Sequence, residues 1–224
     1  NPWLYKNIAY DTQKAFAPVL LAGRSPMLLV THAQAPYRTA AEVLAAARAK
    51  PNVLTYGSSG AGSSNHLAMA LFETATATQM RQIPYKGSTP MLTDLAGGQF
   101  DVALDLLPHA MPFMQSGRVR PLAIAAPKRS PLLPDVPTAA EAGIPGYEVS
   151  SWHGFVVPSG TPPSIVDKPN SDLNRMLLED EGKKAFAAQG GVHDGGTPVQ
   201  VRGFIDGQTA LGKKVVSDRN ITVD

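Results

Sequence analysis

The sequence has 224 residues, of which 43% are hydrophobic and 17% charged. This composition excludes a disordered chain and supplies enough apolar material for one large or two small domains. The formal net charge is only +2 and the lysines and arginines are scattered, which argues against nucleic-acid binding. Because the sequence has no cysteine, disulfides, thiolate chemistry and cysteine-based zinc sites are also excluded.

The first 32 residues contain two strand-like apolar runs, at 16–21 and 27–31, separated by Gly23 and Pro26. Two strands alone are marginal in water, so we expect both to join a sheet completed by later segments. The chain opens at Asn1 with neither an initiator methionine nor a signal peptide. We therefore expect a processed or trimmed product.

Between residues 33 and 126, strand-like runs alternate with helical stretches. Apolar runs at 53–56, 80–85, 100–104 and 119–125 predict strands, and capping residues mark the helices between them. This alternation predicts an α/β fold with a parallel sheet and right-handed crossovers. In such sheets ligands bind beyond the carboxyl ends of the strands.

A Gly/Ser-rich stretch at 56–66 follows the first of these strands and precedes a helix. Glycines allow a tight bend, and the first N–H groups of a helix have no internal partner, so the stretch predicts an anion site. The predicted ligand-binding residues are Ser58, Ser59, Gly60, Ala61, Gly62, Ser63, Ser64 and His66. The loop alone equally supports a plain, well-capped strand-to-helix turn.

The loop matches none of the familiar phosphate or nucleophile patterns. No lysine follows the glycines, the third glycine of a dinucleotide fingerprint is replaced by Asn65, and G-x-S-x-G is absent. A polar, uncharged cradle of this kind favours a carboxylate. Gly87 and Ser88 form a second loop before a helix, and Asp105 ends a strand at the same predicted edge, where it either caps the next helix or contacts the ligand.

Residues 127–224 are less regular at first and then helical. Pro131, Pro134, Pro137 and Pro145 interrupt 127–151, where Thr138 and Glu141 give a capping box that predicts a short helix. A strand is predicted at 151–157, followed by a helix to about residue 178 that Pro169 should kink or delay. Two further helices are predicted, at 180–188 and after Thr197.

Catalysis by a loop serine is the main alternative to binding. Histidines 66, 109 and 153 and aspartates 101 and 105 could complete a triad, but nothing in the sequence places a base against a nucleophile. His66 is interpreted as a brace of the loop. The histidine spacings also give no metal-binding pair. We expect no catalytic residue, no metal and no cofactor, and keep a small-molecule hydrolase or transferase as the alternative.

Taken together, the motifs resemble the extracytoplasmic solute receptors of tripartite tricarboxylate transporters, the Bug-type receptors. The stretches that carry the resemblance, in chain order, are NPWLY at 1–5, YD at 10–11, FAPV at 16–19, LTYGSSGAGSSNHLA at 54–68, PYKGS at 84–88, DLAGGQ at 94–99, LPDVPT at 133–138, EAG at 141–143 and WHGFVVP at 152–158. They span nearly the whole chain, which makes the match specific although each stretch alone is weak.

The resemblance implies a periplasmic-binding-protein-like fold of type II, with two lobes joined by a hinge. Residues 33–151 would form the second, parallel α/β lobe, and 1–32 with 152–224 the first. The opening strand, glycine-rich loop and helix of the family have no counterpart here, so we expect the first lobe to be incomplete.

The resemblance further implies a monomeric periplasmic receptor that delivers a small carboxylate to a membrane permease. The implied ligands are dicarboxylates, tricarboxylates, amino acids and aromatic acids. A soluble sensor partner that uses the same site to signal is a third interpretation.

Overall fold

A computed structural model of the chain describes residues 3–5, 7–188 and 190–223. Asn1 and Pro2, part of the first family-like motif, lie outside the described residues. The strands are β1 (Phe16–His32), β2 (Thr55–Ser58), β3 (Arg81–Pro84), β4 (Val102–Leu106), β5 (Val119–Ile124), β6 (Ser150–Pro158) and β7 (Val192–Gly195). The helices are α1 (Ala40–Ala49), α2 (Ser64–Thr76), α3 (Ser88–Ala96), α4 (Leu107–Gln115), α5 (Pro163–Leu178), α6 (Asp180–Ala188) and α7 (Pro198–Asp218).

The chain divides into two compact units. One consists of Asn1–Ser25 with Trp152–Asp224, and the other of Pro26–Ser151. The strand β1 contributes its first part to the former and its second part to the latter. We describe each unit by itself.

The Pro26–Ser151 unit contains a five-stranded sheet in the order β3-β2-β4-β1-β5. The strand β2 is parallel to both β3 and β4, as the alternation of strands and helices predicts. The strand β1, however, runs antiparallel to its neighbours β4 and β5. The sheet is therefore mixed rather than parallel, because β1 enters it from the other unit between two strands of the α/β repeat.

Two apolar cores cover the two faces of this sheet. Alternate residues of β1 point to opposite faces, as in any strand. Met27 and Leu29 belong to one core, with the buried faces of α1 and α2, whereas Leu28 and Val30 belong to the other, with α3 and α4. Helices on both faces hold the sheet rigidly and so fix the positions of the loops at its edges.

The other unit is built around the first part of β1. The short strand β7 pairs antiparallel with it, at Leu21, Gly23 and Arg24, and β6 also pairs with β1. A small core of Val19, Leu20, Val166 and Leu177 joins the strands to α5. In α7, Thr197 and Gln200 form the predicted capping box.

Three predicted elements differ from the structure. The two runs at 16–21 and 27–31 form one continuous strand, because the positions around Gly23 pair with β7 and extend the ladder through it. The capping box of Thr138 and Glu141 does form, but it closes a turn rather than a helix, since Gly143 follows at φ +87°. The helix α5 continues through Pro169, and the strand β7 is absent from the sequence prediction.

Gly57 in β2 has no room for a side chain. A Cβ atom there would overlap the ring of Phe100 and lie 2.8 Å from Cγ of Met91. We therefore expect Gly57→Ala to lower the free energy of unfolding by about 1–3 kcal/mol, measured by urea denaturation. As a control, Gly203→Ala in α7 meets no atom within 4 Å and should raise it by about 0.5–1 kcal/mol. Equal stability of Gly57→Ala and wild type would contradict the close packing around β2.

Candidate functional site

The carboxyl ends of β3, β2 and β4 lie side by side at one edge of the Pro26–Ser151 sheet. The Gly/Ser loop leaves the end of β2 and leads into α2. The loop at 85–87 leaves the end of β3 and leads into α3. The amide of Tyr85 donates to the carbonyl of Ser58 over 2.8 Å, so the two loops are adjacent at their base.

The Gly/Ser loop is held closed by bonds among its own residues. The side-chain oxygen of Asn65 accepts from the Ser59 amide (3.1 Å) and the Ser59 hydroxyl (2.8 Å). The Ser63 hydroxyl lies 2.7 Å from the same oxygen and 2.6 Å from the Gly60 carbonyl, and its single proton is shared between these two acceptors. Ser63 is also the N-cap of α2, where its oxygen accepts from the amide of His66. Gly60 adopts φ +127° at the turn, a conformation that favours glycine.

Ser58 braces the base of the loop. Its side chain is fully buried, and its hydroxyl accepts a 2.7 Å hydrogen bond from the side-chain amide of Gln82 on β3. The same hydroxyl lies 3.4 Å from the Gly60 carbonyl. Neither Gln82 nor Asn65 stands among the residues predicted from the sequence. The partner of Gln82 is 24 residues away in sequence, and Asn65 contacts Ser59 and Ser63 only in the conformation that their shared loop adopts.

His66 is buried behind the loop, with 8% of its surface exposed. The Gly62 amide donates to its Nδ1 over 3.0 Å, which requires that Nδ1 carries no proton and places the proton of the neutral ring on Nε2. Burial lowers the pKa of His66. The neutral ring therefore completes the loop at neutral pH, in agreement with its predicted role as a brace.

Several donors of the loop remain unused within the described part of the chain. The amides of Gly60, Ala61, Ser64 and Asn65 have no protein acceptor there, and neither has the hydroxyl of Ser64. Ser64 and Asn65 are the first two residues of α2, where amides lack intrahelical partners and the helix dipole is positive. These five groups, rather than the hydroxyls of Ser58, Ser59 and Ser63, are free to bind an anion.

The second loop offers fewer donors. Gly87 precedes α3 at φ +117°, and no side chain caps the helix. In the described part of the chain the amides of Gly87, Ser88 and Thr89 have no acceptor. The Ser88 hydroxyl is already used, because it lies 3.2 Å from Oδ1 of Asp105.

Asp105 is the last residue but one of β4, so the strand extends one residue beyond the predicted end, and Asp105 is 2% exposed. Its Oδ1 lies within hydrogen-bonding distance of the Ser88 hydroxyl, the Leu106 amide and Nδ1 of His109, the last at 3.2 Å. Its Oδ2 is buried and has no hydrogen-bond partner in the described part of the chain. Asp105 thus anchors the second loop to β4 and leaves one acceptor unpaired.

Neither a metal site nor a membrane span is found in the parts of the chain that the structure describes. Among 3–5, 7–188 and 190–223, no group of three or more histidines or carboxylates could hold a metal ion. No described helix has the length and apolarity needed to cross a bilayer.

A model of the tripartite tricarboxylate transporter family receptors matches residues 1–221. Among curated relatives, BugT of Bordetella pertussis is 35% identical over 202 residues, which are 90% of this chain and 62% of BugT. The chain spans 62–66% of the length of this and two other curated relatives that it matches.

Solved structures give the same likeness. Rpa4515 of R. palustris with adipate is 38% identical, with a TM-score of 0.88 over 97% of this chain and 73% of that one. MatC (Rpa3494) from Rhodopseudomonas palustris with bound malate is 30% identical, with a TM-score of 0.82 over 96% of this chain and 74% of that one. These neighbours bear out the expected α/β binding-protein fold.

The buried imidazole of His66 makes a pH prediction. In the unfolded chain a histidine titrates near 6.5, above the lowered pKa of His66 in the fold, so the unfolded state binds the proton first. We expect the free energy of unfolding to fall as the pH drops below about 6.5, and His66→Asn to weaken this dependence. Urea denaturation at several pH values between 7.5 and 5 measures it.

His153, which is exposed, provides the matched control for this titration. The variant His153→Asn should keep the pH dependence of the wild type. If His66→Asn keeps it as well, the neutral imidazole is not the group responsible.

Proposed function

The chain belongs to the tripartite tricarboxylate transporter receptor family, and on that premise we propose that it captures a small carboxylate through the Gly/Ser loop. The observation that carries the proposal is the set of unpaired donors at the start of α2: the amides of Gly60, Ala61, Ser64 and Asn65, with the Ser64 hydroxyl. Hydrogen bonds to a charged group contribute about 1.5–3 kcal/mol each, so a few suffice for micromolar binding after the loss of ligand freedom.

The proposed site keeps all the residues predicted from the sequence but divides their roles. Gly60, Ala61 and Ser64 bind the carboxylate, and Ser58, Ser59, Gly62, Ser63 and His66 hold those donors in place. Gly87 and Ser88 contribute the amides of the adjacent loop. The absence of a cationic side chain from this set is consistent with recognition by amides and a helix dipole.

Asp105 supports a preference among acids. Its unpaired, buried Oδ2 would accept from an amino or hydroxyl group of the ligand and disfavour a second carboxylate beside it. Within the classes that the family resemblance implies, this favours hydroxy acids and amino acids at that end of the site.

In the cell, we propose that the protein acts as a monomeric periplasmic receptor, made with a signal peptide, that passes its ligand to a membrane permease. The lobes would be 1–32 with 152–224 and 33–151. The bound adipate of Rpa4515 and the bound malate of MatC support a carboxylate as the ligand class. We propose that the protein is not an enzyme and needs no cofactor.

The bonding of the loop supports binding over hydrolysis. The Nδ1 of His66 accepts from the Gly62 amide, whereas the hydroxyls of Ser59 and Ser63 bond to Asn65. No imidazole of a described histidine forms a hydrogen bond to a loop serine hydroxyl, so a serine nucleophile would lack the base it needs.

A thermal-shift panel of adipate, malate, citrate, glutamate and benzoate tests the proposal. At one hundred times the dissociation constant, a bound acid should raise the melting temperature by about 5–10 °C. The diamide of adipic acid serves as the uncharged control and should have no effect. Mass spectrometry should recover the acid unchanged; the absence of any shift contradicts a carboxylate ligand, and a product indicates the hydrolase or transferase.

Two neighbouring serines separate binding from bracing. Ser64→Ala removes an unpaired donor, so we expect an affinity about 10–150-fold lower, measured by calorimetry, with stability within about 0.5 kcal/mol of wild type. Ser63→Ala removes the N-cap and should lower the unfolding free energy by about 0.5–2 kcal/mol as well as the affinity. Unchanged affinity of Ser64→Ala would contradict the assignment of that hydroxyl to the ligand.

A further inference from the structure

Asn65 has a bonding pattern that would suit a carboxylate better than an amide. Its Oδ1 accepts from the Ser59 amide and the Ser59 hydroxyl, which fill the two lone pairs of a carbonyl oxygen, and the Ser63 hydroxyl, whose proton is shared with the Gly60 carbonyl, also lies 2.7 Å away. Its amide nitrogen has only the thioether of Met91 as a partner, at 3.7 Å, which is a weak acceptor. Nothing in the hydrogen bonding of this loop therefore requires the amide nitrogen.

The position of Asn65 on its helix also favours an acid. It is the second residue of α2, and negative side chains in the first turn stabilise a helix through its dipole. In the same unit, α1 has Glu42 in its first turn and begins away from the edge that carries the Gly/Ser loop. The helices α2, α3 and α4, which begin at that edge, have no acidic residue there.

The side-chain amide of Asn65 is neutral, whereas the carboxylate of an aspartate would be charged. It is 2% exposed and belongs to the same turn as the unpaired amides of Gly60, Ala61 and Ser64. A carboxylate at this depth would cancel the positive potential of those amides and repel an acid bound to them, because buried charges are poorly screened.

We infer that Asn65 is a positioning and specificity residue, a neutral acceptor that shapes the Gly/Ser loop without opposing the charge of an anionic ligand. The inference rests on the proposed function, since it explains how that site selects an anion. It assigns to one side chain two separable tasks, closing the loop and keeping the loop uncharged.

Two substitutions separate these tasks. N65D keeps an oxygen for the three donors but adds a charge, and N65A removes the acceptor without adding one. We expect N65D to melt at or above the temperature of wild type, because the loop donors and the helix dipole favour an acid, and N65A to melt below both. Affinity should follow a different order, with N65D weakest, because repulsion of like charges about 6 Å apart lowers binding about 100-fold at an effective dielectric of about 20.

The probe is whichever acid of the panel (adipate, malate, citrate, glutamate or benzoate) raises the melting temperature of the wild type most, measured at pH 7 by calorimetry. N52D is the control, because it adds the same charge at an exposed position before the amino end of β2. Its affinity should remain within about threefold of wild type, as exposed charges are screened.

The outcomes distinguish this inference from the function on which it rests. A wild type that binds no acid of the panel overturns the proposed function and this inference with it. A wild type that binds, together with an N65D that binds equally well or an N65D that melts below N65A, overturns only the inference. A structural role alone would move melting temperature and affinity in the same order.

Discussion

The bonds that Ser59 and Ser63 make to the side-chain oxygen of Asn65 decide which donors of the Gly/Ser loop stay unpaired. The hydroxyls of Ser59 and Ser63 and one amide point inward to this oxygen, and the Gly62 amide points to the ring of His66. Because these acceptors are already used, the remaining amides of the turn have no partner inside the loop. The unpaired donors are therefore a consequence of how the loop is closed, and not a separate feature of its sequence.

The sheet supplies the rest of the geometry. The parallel pairing of β2 with β3 and β4 brings three chain segments that are distant in sequence to one edge. Two hydrogen bonds then join the segments at the carboxyl ends of these strands. The Tyr85 amide donates to the Ser58 carbonyl, and the Ser88 hydroxyl donates to Oδ1 of Asp105. Because an apolar core packs against each face, the sheet cannot easily shift to compensate for a change in one loop.

Local signals in the sequence predict the position of the Gly/Ser loop and of the helix that follows it. Three glycines after an apolar run, followed by serines and a helix, place the loop, and Ser63 is the cap that this pattern requires. The sheet is harder to predict, because Gly23 and Pro26 are typical strand breakers and yet lie within β1; at Gly23, pairing with β7 outweighs the local preference. The role of Gln82 depends on Ser58, a partner 24 residues away that folding brings near, whereas Asn65 bonds to Ser59 and Ser63 of its own loop and depends on the conformation of that loop.

Local stability and ligand recognition make opposite demands on the start of α2. A stable helix favours an acid in its first turn, and a loop with three inward donors favours a full carboxylate as their acceptor. A carboxylate ligand requires instead that the first turn of α2 be neutral, because the charge of the ligand must be stabilised by the amides and the helix dipole. The side-chain amide of Asn65 provides the acceptor oxygen that the loop needs, but it lacks the negative charge that would stabilise the start of the helix. A residue that departs from a local helix preference often has a functional role. In the first turn of α2 an acid would be preferred, and the residue found there is the neutral Asn65.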